Sequence, residues 1–456
     1  MIEIMEIKNK KIVVAGMGKT GLDTAVFLAK RGADVFVTES SASEEVKKTA
    51  TGLEAKGIKT ETGGHTEKFM EGAAMLVPSP GVPDNSLPIR NAENKKIPVI
   101  SEIELAFAFS PTEKIIAITG TNGKTTTTSL TGAILKEAGI PAAVCGNIGN
   151  TFIGEFDKLA PDTHVVLEIS SFQLEKTKKF KPFIACLLNI AEDHFDRHFS
   201  MRNYTDAKKK IFANQAGDDF AILNYDDFYC MNIAKTLKSK TLFFSRGEIS
   251  GKGIYLEGKT VFSKLNGSRE IIEIDKTRLW GKGNSENIMA SVLIGLLCGV
   301  EDDTIRKAVY GFTPLPHRME KAAEINGVFF INDSKSTNPH SVINALESIE
   351  EKNNAVLIMG GKNKDISFVS VIPYFKNKVK LLVLLGEAKE FLHEEFKNCG
   401  IPLKLAGSMK ETVSISFQNA SAGDIVLFSP GCASFDMFKN YKERGDVFKK
   451  EVDSLR

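Results

Sequence analysis

Residues 115–119, Ile-Ile-Ala-Ile-Thr, run directly into Gly120-Thr121-Asn122-Gly123-Lys124-Thr125-Thr126, and a helical pattern carrying Leu130, Ile134 and Leu135 follows. Buried strand, glycine loop and helix in this order leave the chain few alternatives. Backbone N–H groups of such a loop wrap a phosphate, and the helix N-terminus adds a favourable field. Lys124 is placed to reach the outer phosphates, and the Thr125 hydroxyl to ligate Mg²⁺. The full pattern has an earlier glycine where this chain has Ile118, so the loop is a shortened form. A glycine turn with a surface lysine is the plain alternative, and the Thr-rich helix start speaks against it.

A second glycine turn, Gly16 to Gly21, follows an apolar run at 11–15, and helical and strand patterns at 22–31 and 34–38 complete a βαβ unit. Its Gly-x-Gly-x-x-Gly spacing, with Glu39 ending the next strand, allows NAD binding, binding of another diphosphate such as a UDP-sugar, or a purely structural turn. Strand patterns at 164–169, 184–190 and 220–224 extend the middle of the chain into a mostly parallel sheet. Residues 240–279 carry short β-prone runs expected to be antiparallel. Patterns at 329–331, 355–358, 381–385 and 425–428 indicate a further doubly wound unit.

At 456 residues the chain exceeds one ordinary core. The expected organisation is α/β in three domains: an N-terminal Rossmann-like unit at 1–109, a central P-loop ATPase at 110–313 with a mostly parallel sheet and a small antiparallel part, and a C-terminal Rossmann-like unit at 314–456. A formal charge of +2 without a basic block argues against nucleic acid as a partner. Six scattered cysteines without a CxxC pair do not form a disulfide framework. The N-terminus lacks a leader pattern and no apolar run is long enough to span a bilayer, so the expected location is the cytoplasm.

Polar clusters recur at strand ends. Glu168 ends the strand Val165-Val166-Leu167 and opens Glu-Ile-Ser-Ser-Phe-Gln. A carboxylate there, beside a phosphate loop, suits Mg²⁺. The 190–198 loop crowds ionisable side chains around His194, and a histidine must be neutral to ligate a metal. Residues 204–210 form a helix with a basic face on which each lysine, Lys208 included, reads as solvated. Arg318 stands at the junction of the last two units, a planar clamp for phosphate. Three polar loops, at 332–338, 360–365 and 429–434, follow three strands and point to one ligand crevice.

Taken in order, these motifs resemble the Mur ligase family over nearly the whole chain, and Gly146-Asn147-Ile148-Gly149, Glu168 to Leu174, Asn332 to Asn338 and Ser429 to Asp436 resemble its D-glutamate-adding branch. The resemblance implies a ligase of peptidoglycan precursor synthesis, active as a monomer, with ATP, UDP-N-acetylmuramoyl-L-alanine and D-glutamate as substrates. Two Mg²⁺ ions are implied, at Thr125, Glu168, His194 and Lys208, with Lys208 as N6-carboxylysine in the Tyr204-x-x-Ala207-Lys208 frame. Catalytic roles carry over to Lys124, Glu168, His194 and Lys208, and ATP contacts to Gly120 through Thr126, Asn284, Asn287, Arg318, Asp333 and Lys335. Gly18, Lys19, Thr20 and Ser40 match contacts to the UDP end, replacing the NAD reading. Asn147, Ser170, Gln173 and His194 match contacts to the muramoyl end. Thr337, Lys364, Ser434 and Phe435, with Asn440 and Tyr441 beside them, match the D-glutamate pocket. Phe435 and Tyr441 stand where the family pattern has Leu and Phe; both keep an apolar wall.

The implied chemistry is attack of the L-alanine carboxylate on the γ-phosphorus, then of the D-glutamate amine on the acyl phosphate. A folylpolyglutamate-type ligase would share the central motifs but not the C-terminal ones. An NAD-binding redox protein would use the first glycine turn, and a nucleotide-binding scaffold would not need Lys124, Glu168, His194 and Lys208 together.

Overall fold

The apolar runs become strands buried on both faces, and the strands sort into three sheets. The computed structural model describes residues 6–456; the first five residues, part of the stretch without a leader pattern, lie outside them. β1 (Lys11–Ala15), β2 (Asp34–Glu39), β3 (Lys59–Thr62) and β4 (Met75–Pro78) form a parallel sheet in the order β3-β2-β1-β4. The helix after the first glycine turn begins at Lys19, capped by Gly18, three residues earlier than the apolar pattern suggests. A Cβ on Gly21 would stand 1.9 Å from the Gly16 carbonyl oxygen, so this glycine serves close helix–strand packing.

The central sheet has nine strands: β5 (Ile115–Thr119), β6 (Ala142–Gly146), β7 (His164–Glu168), β8 (Ile184–Leu187), β9 (Phe220–Asn224), β10 (Lys240–Ser245), β11 (Gly253–Glu257), β12 (Thr260–Ser263) and β13 (Arg269–Glu273). β5 lies between β7 and β8, parallel to both, and each of its residues is buried. Side chains like Ile115, Ile116 and Ile118 contribute about 1.5–3 kcal/mol each when fully buried. The 240–279 region is not wholly antiparallel. β10 and β11 continue the parallel order from β9, and only the pairings of β12 are antiparallel. The buried helix Lys282–Leu297 packs on the helix Lys124–Glu137 that follows the phosphate loop.

The third sheet contains β14 (Glu320–Ile325), β15 (Val328–Asn332), β16 (Ala355–Gly360), β17 (Val379–Leu385), β18 (Leu403–Leu405) and β19 (Ile425–Gly431), in the order β14-β15-β19-β16-β17-β18. Only the edge strand β14 is antiparallel. Because β15, β19 and β16 are parallel neighbours, their three polar loops emerge at one end.

The first two sheets share one continuous core, in which Phe27, Ile103 and Phe107 meet Phe152, Leu174 and Phe180. The third sheet has its own core clusters and meets the rest across a cleft, with Trp280 and Met319 packed against its edge. Among the described residues no helix is long and apolar enough to cross a membrane.

Candidate active site

The phosphate loop takes its shape from left-handed glycines. Gly123 caps the helix Lys124–Glu137 at φ 85°, and Gly120 sits at φ 157°. Lys124 Nζ folds back to donate to the carbonyls of Gly120 (2.8 Å) and Thr121 (2.9 Å). Burial pushes this ammonium below its usual range, with Glu168 and Asp193 opposing the shift. The loop is anchored to the segment after β8, where Asn122 N–H donates to Asn189 Oδ1 (2.8 Å) and Asn189 Nδ2 to the Asn122 carbonyl (3.2 Å). Asn287 accepts from Thr127 Oγ1 (3.2 Å) and donates to Asn284 Oδ1 (3.2 Å), so this pair flanks the loop from the neighbouring helix.

Beside the loop, Glu168 ends β7, buried. Its Oε1 accepts from Asn147 Nδ2 (2.8 Å), whereas Oε2 has no hydrogen-bond partner. An orphaned buried carboxylate oxygen, with the Thr125 hydroxyl lining the same cavity, is a hard-oxygen donor set that fits Mg²⁺. Among the described residues no three His, Cys, Asp or Glu side chains gather into a metal cage.

His194 stands at φ 55°, the left-handed N-cap of the short helix Phe195–His198, with its ring edge-on to Phe172 at 4.9 Å. Burial lowers its pKa; Asp193 opposes, and Lys364, Lys124 and Lys208 reinforce the shift. The imidazole is therefore neutral, as ligation requires.

Lys208 departs from the solvated reading. It is 1% exposed, with Nζ 2.8 Å from the Gly120 carbonyl and 4.7 Å from the Tyr204 ring centroid. Burial first and the Lys124 charge second push its pKa well down. The helix turns this lysine inward because Tyr204, four residues earlier and also buried, shares its face, with Ala207 buried alongside.

The third sheet supplies the opposite wall. Arg318, Asp333, Lys335, Thr337, Lys364, Ser434, Phe435, Asn440 and Tyr441 line the same cavity, of about 460 Å³, as residues 121–126, Asn147, Glu168, Ser170, His194, Asn284 and Asn287. Burial, then Arg318 and Lys124, bring Lys335 down to about 7. Burial lifts Asp333 to about 7 against the Ser429 hydroxyl and the Met319 N–H. Buried Arg444 pins two of the polar loops, donating to the carbonyls of Ser334 (2.7 Å), Cys432 (3.0 Å) and Ala433 (3.2 Å).

Several residues named from the sequence lie elsewhere. Gly120 turns its carbonyl to the two lysines, and Lys208 stands behind the loop. Gln173 is engaged in a capping box, its Oε1 accepting from the Ser170 N–H and hydroxyl (3.0 Å each). Gly18, Lys19, Thr20 and Ser40 sit at the head of the first sheet, outside the cavity. There Lys19 Nζ reaches the Gly149 carbonyl (2.7 Å) and Asn150 Oδ1 (2.8 Å). Glu39, the residue that favoured NAD, accepts from the Met17 N–H of its own glycine turn (2.9 Å). The sequence reading passed over Asp193, Asn338, Trp280 and Arg444. Asp193 lies within the 190–198 loop and Asn338 ends the 332–338 loop, and Trp280 is marked out as the only tryptophan in the chain.

A phosphate loop and a lone acidic oxygen at the head of one sheet, faced by cationic loops at the head of another, define a nucleoside-triphosphate-using α/β enzyme with its site between domains. Family models agree along the chain: a Mur ligase MurD-like N-terminal domain matches residues 10–101, a Mur ligase middle domain 118–295, and a Mur ligase glutamate ligase domain 317–432. UDP-N-acetylmuramoylalanine–D-glutamate ligases of Pelotomaculum thermopropionicum and Geotalea daltonii are 41% and 43% identical, each covering 99% of both chains. In fold it is similar to the UDP-N-acetylmuramate–alanine ligase MurC of Thermotoga maritima, with TM-score 0.61, 17% identity, and coverage of 98% of this chain and 100% of that one. The chain belongs to the Mur ligase family, and with it uses ATP and Mg²⁺.

Proposed function

We infer that this protein joins D-glutamate to UDP-N-acetylmuramoyl-L-alanine with cleavage of ATP to ADP and phosphate, in cytoplasmic synthesis of peptidoglycan precursor. The observation that carries this reading is the composite cavity, in which the phosphate loop and Glu168 face the Lys364 and Ser434 wall across one space. The residues assigned to the reaction all belong to one chain, and we read the active form as a monomer.

Two anions must meet for the first step, the substrate carboxylate and the γ-phosphate. Lys124 and the loop N–H groups offset that repulsion. The carboxylate oxygen bonds to phosphorus as the bond to the ADP oxygen breaks. The D-glutamate nitrogen, as the free amine, then attacks the acyl carbon, phosphate leaves with the bonding electrons, and the nitrogen gives up one proton as the amide forms. Thr125 and Glu168 would hold one Mg²⁺, and His194 with a carbamylated Lys208 the second. Bound there, the ions would neutralise phosphate charge. Burial of Lys208 supports the modification, because a neutral amine is the form that takes up carbon dioxide. Lys335, Arg318 and Asp333 serve the nucleotide, and Asn147 and Ser170 the muramoyl end. Thr337, Lys364, Ser434 and Phe435, flanked by Asn440 and Tyr441, take D-glutamate. Gly18, Lys19, Thr20 and Ser40 at the head of the first sheet take the UDP end.

Phosphate release from ATP, Mg²⁺ and UDP-N-acetylmuramoyl-L-alanine, compared across D-glutamate, L-glutamate, D-aspartate, L-lysine and no amino acid, tests the reading, with mass spectrometry of the product. Release with a new amide is expected for D-glutamate alone. A different preferred amino acid would overturn the assignment of the pocket. No release from folded, bicarbonate-supplemented protein would overturn the reaction.

A further inference from the structure

The lysine that faces the proposed amino-acid pocket already holds a carboxylate. Lys364 Nζ lies 2.9 Å from Oδ1 of Asp193, which reaches across the cleft from the loop after β8. The same carboxylate accepts from Asn338 Nδ2 at 3.1 Å, and from the N–H of His194 at 2.9 Å. The neutral His194 ring stands beside it, with Nε2 3.6 Å from Asp193 Oδ2. Asp193 is buried, and its two side-chain hydrogen-bond partners belong to the third sheet's loops. A second cross-cleft contact joins Asn338 to Asn122 of the phosphate loop (3.3 Å). Asp193 therefore stands between two places: one residue from His194 on the phosphate side, and in contact with Lys364 on the amino-acid side.

An amino acid entering this space carries both charges of that ion pair. One of its carboxylates competes with Asp193 for Lys364. Its ammonium group, which must end beside the reacting carbonyl, then meets the carboxylate it has displaced. The Asn338 and His194 N–H anchors of Asp193 do not depend on Lys364, so the exchange does not require Asp193 to leave the site.

We propose that Asp193 is a positioning residue for the amino-acid substrate: it holds the carboxylate seat on Lys364 until the amino acid arrives, then pairs with the incoming ammonium group. The proposal rests on the reading of Lys364 as a substrate-carboxylate site.

The test is calorimetric titration of the full chain, with ADP, Mg²⁺ and UDP-N-acetylmuramoyl-L-alanine present, using two ligands. D-Glutamate has the ammonium group; glutarate keeps both carboxylates and lacks it. In Asp193→Asn the internal competitor is gone, so glutarate should bind more tightly, by roughly three- to tenfold, while D-glutamate, deprived of its partner, binds more weakly by a similar factor. A merely structural role moves both ligands in the same direction, and that result, or no change in either, overturns the proposal. If Asp193→Asn does not fold, Asp193→Ser removes the same charge and is interpreted identically. Lys364→Met separates the proposal from the reading beneath it. Glutarate binding that survives Lys364→Met overturns the carboxylate site itself; glutarate binding lost in Lys364→Met but unmoved in Asp193→Asn overturns the role of Asp193 alone.

Discussion

At the scale of single residues the phosphate loop tolerates little. A Cβ on Gly123 would meet Asn287 Oδ1 at 2.1 Å, at a backbone φ of 85° that side chains rarely adopt. Gly123→Ala must both strain the loop and push Asn287 off Thr127. The expected outcome is at least about a tenfold rise in KM for ATP and a loss of roughly 1–3 kcal/mol of stability, seen by phosphate release against ATP concentration and by thermal unfolding. The glycine itself was legible from sequence, because its spacing before Lys124 has a mechanical meaning. Lys208 was not legible from local pattern. Three consecutive lysines on a helix look solvated, and only the burial of Tyr204 and Ala207, a tertiary fact, turns one of them inward. Asp193 was hidden for a related reason. Its importance comes from Lys364, 171 positions away in the chain, and no local pattern records such a pair.

At the scale of elements, helices join units as well as fill them. Glu102 begins the helix Glu102–Phe109, and its Oε1 accepts from the N–H of Ile153 at 2.7 Å, while its Oε2 is buried without a partner. Burial lifts this carboxyl to about 7, opposed by the Ile153 N–H and reinforced by Asp23. The unfolded chain releases this proton near 4.5, the folded chain near 7. Between those values the folded state holds a proton the unfolded state has lost, so stability falls as pH rises through the window and stays lower above it. The difference is on the order of 3 kcal/mol. Glu102→Gln, which mimics the protonated form, should therefore raise the melting temperature at pH 8 and leave it nearly unchanged at pH 4.5. A destabilised variant at pH 8 would contradict this account. Strands such as β5 and β16 were legible because each is a continuous apolar run. β14 escaped notice, because Glu-Lys-Ala-Ala-Glu-Ile at a sheet edge is only partly buried and alternates too weakly to stand out.

At the scale of the molecule, a shared core welds the first two sheets together, and the third approaches across the cleft. Trp280, just before the helix Lys282–Leu297, lines the cavity and packs on the core of the third sheet. As the only tryptophan, it is a single emission probe placed at the cleft. Titration with ATP should shift or quench that emission, with a midpoint matching calorimetry, and Trp280→Phe should abolish the signal. Unchanged emission during demonstrated ATP binding would show that the ring does not sense the cleft. The three-unit layout was legible from the two glycine turns and the clustered polar loops, whereas the way the units meet was not, since it depends on contacts between distant segments. The strand order of the third sheet also has a consequence for biosynthesis. β19 is flanked by β15 and β16, yet it follows every other strand of that sheet in the chain. On the ribosome the nascent third unit waits with an open slot at its centre until β19 emerges, and the Ser434 side of the cavity cannot exist before then. The ligase is thus silent until β19 has been made, and a chain cut short before residue 425 lacks a working site as well as a complete sheet.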